Sequence, residues 1–209
     1  MAEIGAARID TVAPRGLLAI QPGRVMGLEG PPGSGLTRLG LIMLSGHPGT
    51  VAMVDVRGWV SPLAAWEAGV ATENLVVVRC PDRVRWAQVT AALLEGLGAV
   101  YAEVPPGIND QLLRRLGALA RARRAALLLR PLRGGLPAGL THLRLQGEAV
   151  AWEGTGAGYG RLTQRLLTLR AGGKGVGGVE RRIEVEDDGT DAVRVVPGLA
   201  VAPSRRAAG

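Results

Sequence analysis

The sequence predicts an α/β fold with a mainly parallel sheet, flanked by helices and followed by antiparallel hairpins. Five short apolar runs punctuate the first two-thirds of the chain without polar alternation, as expected of parallel strands that are covered on both faces. These runs are Val25 to Leu28, Val51 to Val56, Leu75 to Val78, Val100 to Val104, and Ala125 to Leu129. Helical segments lie between them, so strand and helix alternate in a βαβ order.

The clearest helices follow residues that can cap them. Val84 to Leu97 comes after Asp82, and Gln111 to Arg124 comes after Asn109 and Asp110. The side-chain oxygens of these three residues can accept hydrogen bonds from the free N–H groups of a first helical turn. A further helix is predicted over residues 37–45.

The last third of the chain changes to a hairpin pattern. One hairpin is predicted from Leu140 to Leu145 and Ala149 to Trp152 around a turn at 146–148, and a second from Ile183 to Glu186 and Val193 to Val196 around Asp187, Asp188 and Gly189. The glycine-dense stretch Gly172 to Gly178 predicts a mobile loop between them. We therefore expect one domain over residues 1–196 and a disordered basic tail over 197–209.

Composition narrows the class of protein. The 209 residues fit one domain, and 47% of them are hydrophobic although no Phe occurs. The apolar runs are far shorter than the ~20 residues of a membrane-spanning helix, and Met1 to Asp10 lacks the apolar core of a signal peptide, so a soluble cytoplasmic protein is expected. Cys80 is the single cysteine, which excludes an internal disulfide, and it predicts a buried thiol.

Charge and histidine spacing bear on ligands. His47 and His142 have no Cys or His at metal-ligand spacing, so no metal site and no cofactor are expected. The formal net charge of +7 favours an anionic partner, such as nucleic acid or an acidic protein surface. Arginine-rich coding in a GC-biased genome is an alternative source of the same charge.

A glycine loop lies between the first strand and the first helix. Its sequence matches the phosphate-loop pattern G-x-x-x-x-G-K-[ST] at every specified position except one, where Leu36 replaces the lysine. That lysine reaches the β and γ phosphates, and losing a charge-assisted contact costs about 1.5–3 kcal/mol. The candidate residues of this altered phosphate loop are Gly30, Gly33, Ser34, Gly35, Leu36 and Thr37.

Two interpretations of the loop remain. The glycines can simply permit a tight turn onto a helix, with the loop shape kept and no nucleotide bound. Alternatively, the loop keeps weak or diphosphate binding through backbone N–H groups and the helix N-terminus.

The order of these segments resembles the core of the RecA family. The close match runs from Gln21 to Val78 and includes the glycine loop, Asp55 at the end of the next strand, and Glu73 and Asn74 before the third strand. By order of elements the resemblance extends over residues 17–196. It implies a RecA-like core.

Three positions depart from what the resemblance implies in the direction of inactivity: Leu36, Arg57 and the stretch from Arg130 to Leu132. Arg57 stands where the family has the catalytic glutamate, and a protonated guanidinium cannot act as a general base. Glu103 stands where the family has an aspartate linked to magnesium; it either holds Mg²⁺ through water or is a solvated carboxylate at a strand end. Arg130 to Gly135 replace a glutamine that senses the terminal phosphate, and the DNA-binding loop after it is shortened.

These losses predict a catalytically inactive, non-hydrolysing relative. The chain resembles ImuA-type proteins, RecA-like accessory factors of mutagenic translesion synthesis, and this resemblance implies a DNA-repair partner such as a Y-family polymerase. SulA-type proteins, which block the division protein FtsZ, are the first alternative. A weak nucleotide-binding ATPase that uses an arginine in place of the lysine is the second alternative. Arg57 is the suitable substitute, because Arg38 lies about 200° around the helix from Leu36 and points away from the loop.

A basic helix supplies the candidate partner or DNA surface. Residues 111–133 contain seven arginines and no acidic residue, and Leu112, Leu113, Leu116, Leu119 and Ala120 share one helical face that can dock on the sheet. The alternative is a solvated surface helix without a partner. The candidate binding residues are Arg114, Arg115, Arg121, Arg123, Arg124 and, in the glycine-dense loop, Lys174.

Overall fold

The computed structural model describes residues 16–154, 163–187 and 193–197. The strands are β1 Val25–Glu29, β2 Val51–Asp55, β3 Leu75–Arg79, β4 Ala99–Val104, β5 Ala126–Pro131, β6 Leu143–Glu153, β7 Gln164–Gly172, β8 Arg181–Asp187 and β9 Val193–Pro197. The helices are α1 Leu36–Ser45, α2 Pro62–Trp66, α3 Arg83–Gly96 and α4 Asp110–Arg123. None of the helices in these ranges is long and apolar enough to cross a membrane.

The strands form one sheet in the order β3-β2-β4-β5-β1-β6-β7-β8-β9. Strands β1 to β6 pair in parallel, whereas β6 to β9 pair in antiparallel fashion. The predicted α/β class, with a mainly parallel sheet and a C-terminal antiparallel part, is confirmed. Because β1, β2, β4 and β5 are parallel, their carboxyl ends meet at one edge of the sheet.

Four of the five predicted parallel strands are buried on both faces, as their continuous apolar runs predict, whereas the edge strand β3 is only partly buried. Every residue of β1, β2, β4 and β5 is buried. One core lies under α1 and includes Met53, Tyr101 and Leu128, and the other lies under α3 and α4 and includes Val54 and Leu127. Strand neighbours therefore alternate between the two cores.

Two of the three predicted capping residues, Asp82 and Asn109, cap α3 and α4, whereas Asp110 is the first residue of α4. The Asp82 carboxylate accepts from the N–H groups of Val84 at 2.7 Å and Arg85 at 3.3 Å, and Asn109 Oδ1 accepts from the Leu112 N–H at 2.8 Å. These bonds fix the starts of α3 and α4 within one residue of the prediction. Cys80 is buried, as expected.

The first predicted hairpin is wrong. Residues 146–148 do not turn; β6 runs through them and pairs with β1 on one side and with β7 on the other. A β-bulge between Gly147 and Ala149 takes up the irregularity. Polar Gln146 and Glu148 interrupt the apolar run because both side chains are exposed on a strand that continues.

The second hairpin is confirmed by the antiparallel pairing of β8 with β9. Asp187 ends β8 rather than opening the turn, and Asp188 and Gly189 lie outside the described residues. Pro197 belongs to β9, and the rest of the predicted tail, 198–209, also lies outside them.

The stretch predicted as a mobile loop is anchored. It holds a 3₁₀ turn at Lys174–Val176, in which the Gly175 N–H donates to the His142 carbonyl at 2.8 Å and Val176 is buried.

Candidate phosphate-loop site

The glycine loop keeps the shape of a phosphate loop at the carboxyl edge of the sheet. It connects β1 to α1, with Gly33 and Gly35 in the left-handed region at φ 82° and 72°. The Ser34 hydroxyl donates to the Pro31 carbonyl at 2.6 Å and holds the loop closed on itself. Helix α1 begins at Leu36, so the predicted strand, loop and helix context is present.

Leu36 lies in the core at the position of the missing lysine. Its side chain is fully buried, and its Cδ1 would stand 3.0 Å from a Cβ built on Gly30. Its carbonyl accepts from the Tyr101 hydroxyl at 3.4 Å. Burial raises the pKa of Tyr101, so the phenol stays protonated and remains a donor. Through its buried side chain and its carbonyl, Leu36 therefore helps to pack α1 against β4. It supplies no cation to the loop.

Arg57 and Glu103 form an ion pair beside the loop. Glu103 is fully buried; one of its oxygens accepts from the N–H groups of Val56 and Arg57 at 3.1 and 3.2 Å, and the other accepts from Arg57 Nε at 2.9 Å and from Arg57 Nη2. Arg57 Nη2 also donates to Thr37 Oγ1 at 3.4 Å. The interpretation of Glu103 as a solvated carboxylate is wrong, because an internal arginine and two backbone groups take its oxygens.

Arg130 approaches the same hydroxyl from β5. Its side chain is buried, and its Nη1 donates to Thr37 Oγ1. Among the described residues no carboxylate lies within 4.0 Å of its guanidinium. Two guanidinium groups thus converge on the threonine of the loop.

A second cluster closes the loop from the antiparallel strands, and the sequence reasoning missed it. Arg165 on β7 places its guanidinium against Gly35, where a Cβ would stand 2.4 Å from Nη1. Asp187 on β8 binds Arg165 Nη2 and Arg38 Nε, both at 2.7 Å. Burial lowers the pKa of Arg165, and Asp187 opposes that shift.

The alternation of side chains along each strand could have revealed this cluster. Arg165 has the same parity as buried Leu167 and Leu169 on β7, and Asp187 has the same parity as buried Ile183 and Val185 on β8. Since strand residues two apart share a face, both charged groups point into the core and need partners.

Asp55 stabilises the backbone turn that follows β2, next to the site. Its fully buried carboxylate accepts from the N–H groups of Gly58, Trp59 and Val60 at 2.8, 3.2 and 3.0 Å. This turn presents Arg57 to Glu103, and the Arg57 guanidinium lies 4.6 Å from the centre of the Trp59 ring.

The residues present do not fit the magnesium ion that a RecA-like site implies. The hydroxyl and the carboxylate at the relevant positions, Thr37 and Glu103, already accept from arginines. Within the described part of the chain no three His, Cys, Asp or Glu side chains gather as a metal site. The cationic guanidinium groups would also repel a divalent ion.

A family model described as the MT3502 N-terminal domain matches residues 11–133. The chain belongs to the MT3502 N-terminal domain family. The family match spans β1 to β5 and α1 to α4, which include the glycine loop, Arg57, Glu103 and Arg130. No curated protein is significantly similar in sequence.

A solved structure described as the RadB recombinase shares the fold of this MT3502 N-terminal domain family member. The two are 16% identical with a TM-score of 0.54, and the similarity covers 82% of this chain and 90% of the RadB chain. The fold is therefore RecA-like. At this identity the likeness concerns the fold alone.

The predicted arginine surface of the MT3502 N-terminal domain family member is split between faces of α4. Arg114 donates to the Ala138 carbonyl at 3.1 Å, and Arg121, two turns later, lines a cavity that Lys174 also lines. Arg123 lies on the other side, 3.6 Å from Glu95 of α3, while Arg115 is exposed between the two sides. Arg124 ends the helix with φ 56°. The docking face is as predicted, with Leu113, Leu116 and Ala120 buried.

Proposed function

We propose that this chain is a RecA-fold protein that does not hydrolyse ATP and acts as a binding accessory factor in DNA damage tolerance. The first half of this proposal is the absence of ATP hydrolysis, and the observation that supports it is the ion pair between Arg57 and Glu103. It stands where a hydrolysing RecA-like site needs a general base and a carboxylate near a metal.

The chemistry of hydrolysis lacks its proton acceptor. Attack of water on a γ-phosphate needs a group that positions the water and takes its proton. The guanidinium of Arg57 is a hydrogen-bond donor only and cannot serve as the proton acceptor. Both oxygens of Glu103 already accept hydrogen bonds, and its side chain is fully buried, so water does not reach it without breaking the pair.

Charge stabilisation is altered as well. Leu36 gives no ammonium to the β and γ phosphates, and such a contact contributes about 1.5–3 kcal/mol. Arg165 lies against the loop instead, held by Asp187. Thr37 and Glu103, at the positions that a RecA-like site uses near magnesium, here accept hydrogen bonds from arginines.

The second half of the proposal rests on the resemblance to ImuA-type accessory proteins and on the net charge of +7. A RecA-like fold whose nucleotide chemistry is replaced by internal contacts is suited to present surfaces to partners. The partner class is a DNA-repair component such as a Y-family polymerase, with DNA as a further ligand.

ATP turnover in the presence of magnesium tests the first half. The purified protein should show no more turnover than its Gly33→Asp variant. Gly33 is a suitable control because a side chain there has open space and Asp tolerates the left-handed conformation, while its charge repels phosphate at the loop. Turnover in the wild type that Gly33→Asp removes would overturn the proposal.

Damage-induced mutagenesis tests the second half. A strain without the gene should accumulate fewer mutations after ultraviolet irradiation, and the wild-type gene should restore them. The Gly33→Asp gene should restore them equally well, because the role proposed does not use the loop for ATP. Normal mutation frequency in the deletion strain would contradict the accessory role.

A second candidate, nucleotide binding without turnover, is favoured by one observation. Arg130 is a buried guanidinium at the loop with Thr37 as its acceptor and, among the described residues, no carboxylate within 4.0 Å. A phosphate would supply the missing counter-charge. An ATP-dependent rise in melting temperature that persists without magnesium and is absent in Gly33→Asp would support this candidate.

A further inference from the structure

A cavity of about 640 Å³ lies at the amino edge of the sheet, opposite the phosphate loop. Its walls come from the segment before β1, the end of α4, the start of β6 and the end of β7. The volume is in the ~300–1,000 Å³ range of small-molecule sites. Its place in the fold separates it from the site already described.

Positive charge dominates this cavity. Arg24, Arg121 and Lys174 line it, all three are exposed, and within the described ranges no carboxylate lies within 4.0 Å of any of them. Arg144 also lines it but is committed to Glu29 at 3.3 Å and to the Leu136 carbonyl at 2.9 Å. The acidic lining residue is Glu180, which lies 3.9 Å from Arg170.

Backbone hydrogen bonds hold the turn that carries Lys174 against the wall of the cavity. His142 joins the wall to β1 by donating its N–H to the Val25 carbonyl at 2.7 Å. The turn that carries Lys174 is tied to the His142 carbonyl by the Gly175 N–H at 2.8 Å. Gly173 must be glycine, since its φ is 101° and a Cβ would stand 2.6 Å from that carbonyl oxygen. Lys174 is therefore presented from a fixed turn.

His142 lies in the wall of this cavity and is affected by its positive charges. Its pKa is lowered, first by burial and then by the positive charges of Arg24 and Lys174. Cations from two separate segments thus act on one wall. The ring atom Nδ1 is buried, with no hydrogen-bond partner among the described residues.

We propose that this cavity binds a phosphate group of a nucleotide-sized ligand, through the guanidinium groups of Arg24 and Arg121 and the ammonium of Lys174. One guanidinium group can donate two parallel hydrogen bonds to two phosphate oxygens, and an ammonium adds a point charge. The phosphate belongs either to a free nucleotide or to one unit of a single-stranded nucleic acid. The proposal goes beyond the proposed function and stands whether or not the chain hydrolyses ATP.

Histidine NMR gives a direct readout, because the chain has two histidines, His142 and His47. Thymidine monophosphate and a single-stranded oligothymidylate serve as probes. A phosphate in the cavity offsets the positive charges near His142, so the His142 pKa should rise on binding. His47 lies next to Gly98 before β4 and does not line the cavity, so its resonances should change less than those of His142.

Charge-reversal variants complete the test. Arg24→Glu, Arg121→Glu and Lys174→Glu should each weaken binding of the effective probe about tenfold. Arg115→Glu is the matched control, since it makes the same charge change on another side of α4 and should bind as the wild type. Melting temperatures of all four variants verify folding.

Each outcome decides between sources or against the proposal. Binding of both probes indicates that a free nucleotide suffices, and binding of the oligothymidylate alone indicates a strand. If neither probe shifts His142, or if Arg115→Glu weakens binding as much as the cavity variants do, the proposal is overturned. Gly33→Asp should bind both probes normally, which separates this site from the phosphate loop.

Discussion

Arg165 lies against the backbone of Gly35, close enough that a Cβ on Gly35 would stand 2.4 Å from Arg165 Nη1. Gly35 belongs to the segment that the family model matches, whereas Arg165 lies on β7, beyond it. The antiparallel strands therefore help to close the phosphate loop. Asp187 completes this contact by binding both Arg165 and Arg38 of α1.

Gly35→Ala should lower the free energy of unfolding by about 2–4 kcal/mol, from left-handed strain of about 1–2 kcal/mol and the displacement of Arg165. Gly33→Ala is the control, because its φ is 82° but a Cβ there meets nothing within 4 Å. Urea denaturation should therefore show a smaller loss for Gly33→Ala, about 1–2 kcal/mol. Equal losses in the two variants would mean that the Arg165 contact contributes nothing.

Glu103→Gln should lower the free energy of unfolding by about 3–5 kcal/mol, because it leaves the Arg57 guanidinium without its carboxylate in a largely buried site. Glu95→Gln breaks the exposed pair with Arg123 and should cost no more than about 1 kcal/mol. Chemical denaturation of both variants measures the contrast. A Glu103→Gln protein as stable as Glu95→Gln would show that the pair is dispensable.

The lowered pKa of His142 predicts acid sensitivity. As pH falls through about 6.5, the unfolded chain takes up a proton at this residue before the folded chain does, so stability is lost down to the folded-state pKa. The charged groups that line its cavity are Arg24, Arg121, Arg144, Lys174 and Glu180. Chemical denaturation between pH 7 and 5 measures how the free energy of unfolding changes with pH. His142→Gln should remove this contribution to the pH dependence, and His47→Gln should keep it. An unchanged slope in His142→Gln would refute the linkage.

Gly40→Ala on α1 should destabilise the protein although alanine is the better helix former by about 1 kcal/mol. A Cβ there would stand 2.5 Å from the ring of Tyr101, which is fully buried on β4. Overpacking of this kind costs about 1–3 kcal/mol, and the rigid ring has no room to move. Thermal unfolding of Gly40→Ala beside Gly96→Ala, where a Cβ has open space, measures the effect. A higher melting temperature for Gly40→Ala would contradict the expected clash.

The parallel half of the fold could be predicted from the sequence because each strand is a continuous apolar run and helices α3 and α4 each follow a capping residue. The antiparallel half was harder, since bulges and turns share the same residue types. Gln146 and Glu148 suggested a turn, but both are exposed on a continuous strand. Strand β7 was missed altogether, and with it the contact between Arg165 and Gly35.

The sequence shows where the site departs from the phosphate-loop pattern, but it does not show which contacts the new residues make. Leu36 and Arg57 are visible against the phosphate-loop pattern and the RecA resemblance. Which carboxylate binds Arg57 depends on β2 and β4 being neighbours, a fact of sheet order. Likewise, Arg121 and Lys174 are 53 positions apart in the sequence and share a cavity only because β6 lies beside β1.

Leu36→Lys should fail to restore nucleotide binding, although it completes the phosphate-loop pattern. Position 36 is fully buried beside Gly30, so the new ammonium would have to be desolvated or displace the loop. Arg57 and Arg130, which both donate to Thr37, would repel it. We expect a loss of about 2–5 kcal/mol in stability, as for other disrupted core leucines, and no rise in melting temperature with ATP and magnesium. Leu36→Met, a volume-conserving control, should stay within about 1.5 kcal/mol of the wild type. If Leu36→Lys instead melts several degrees higher with ATP, the loop has kept its capacity for phosphate, and the internal arginine pairs yield to a ligand once the lysine returns.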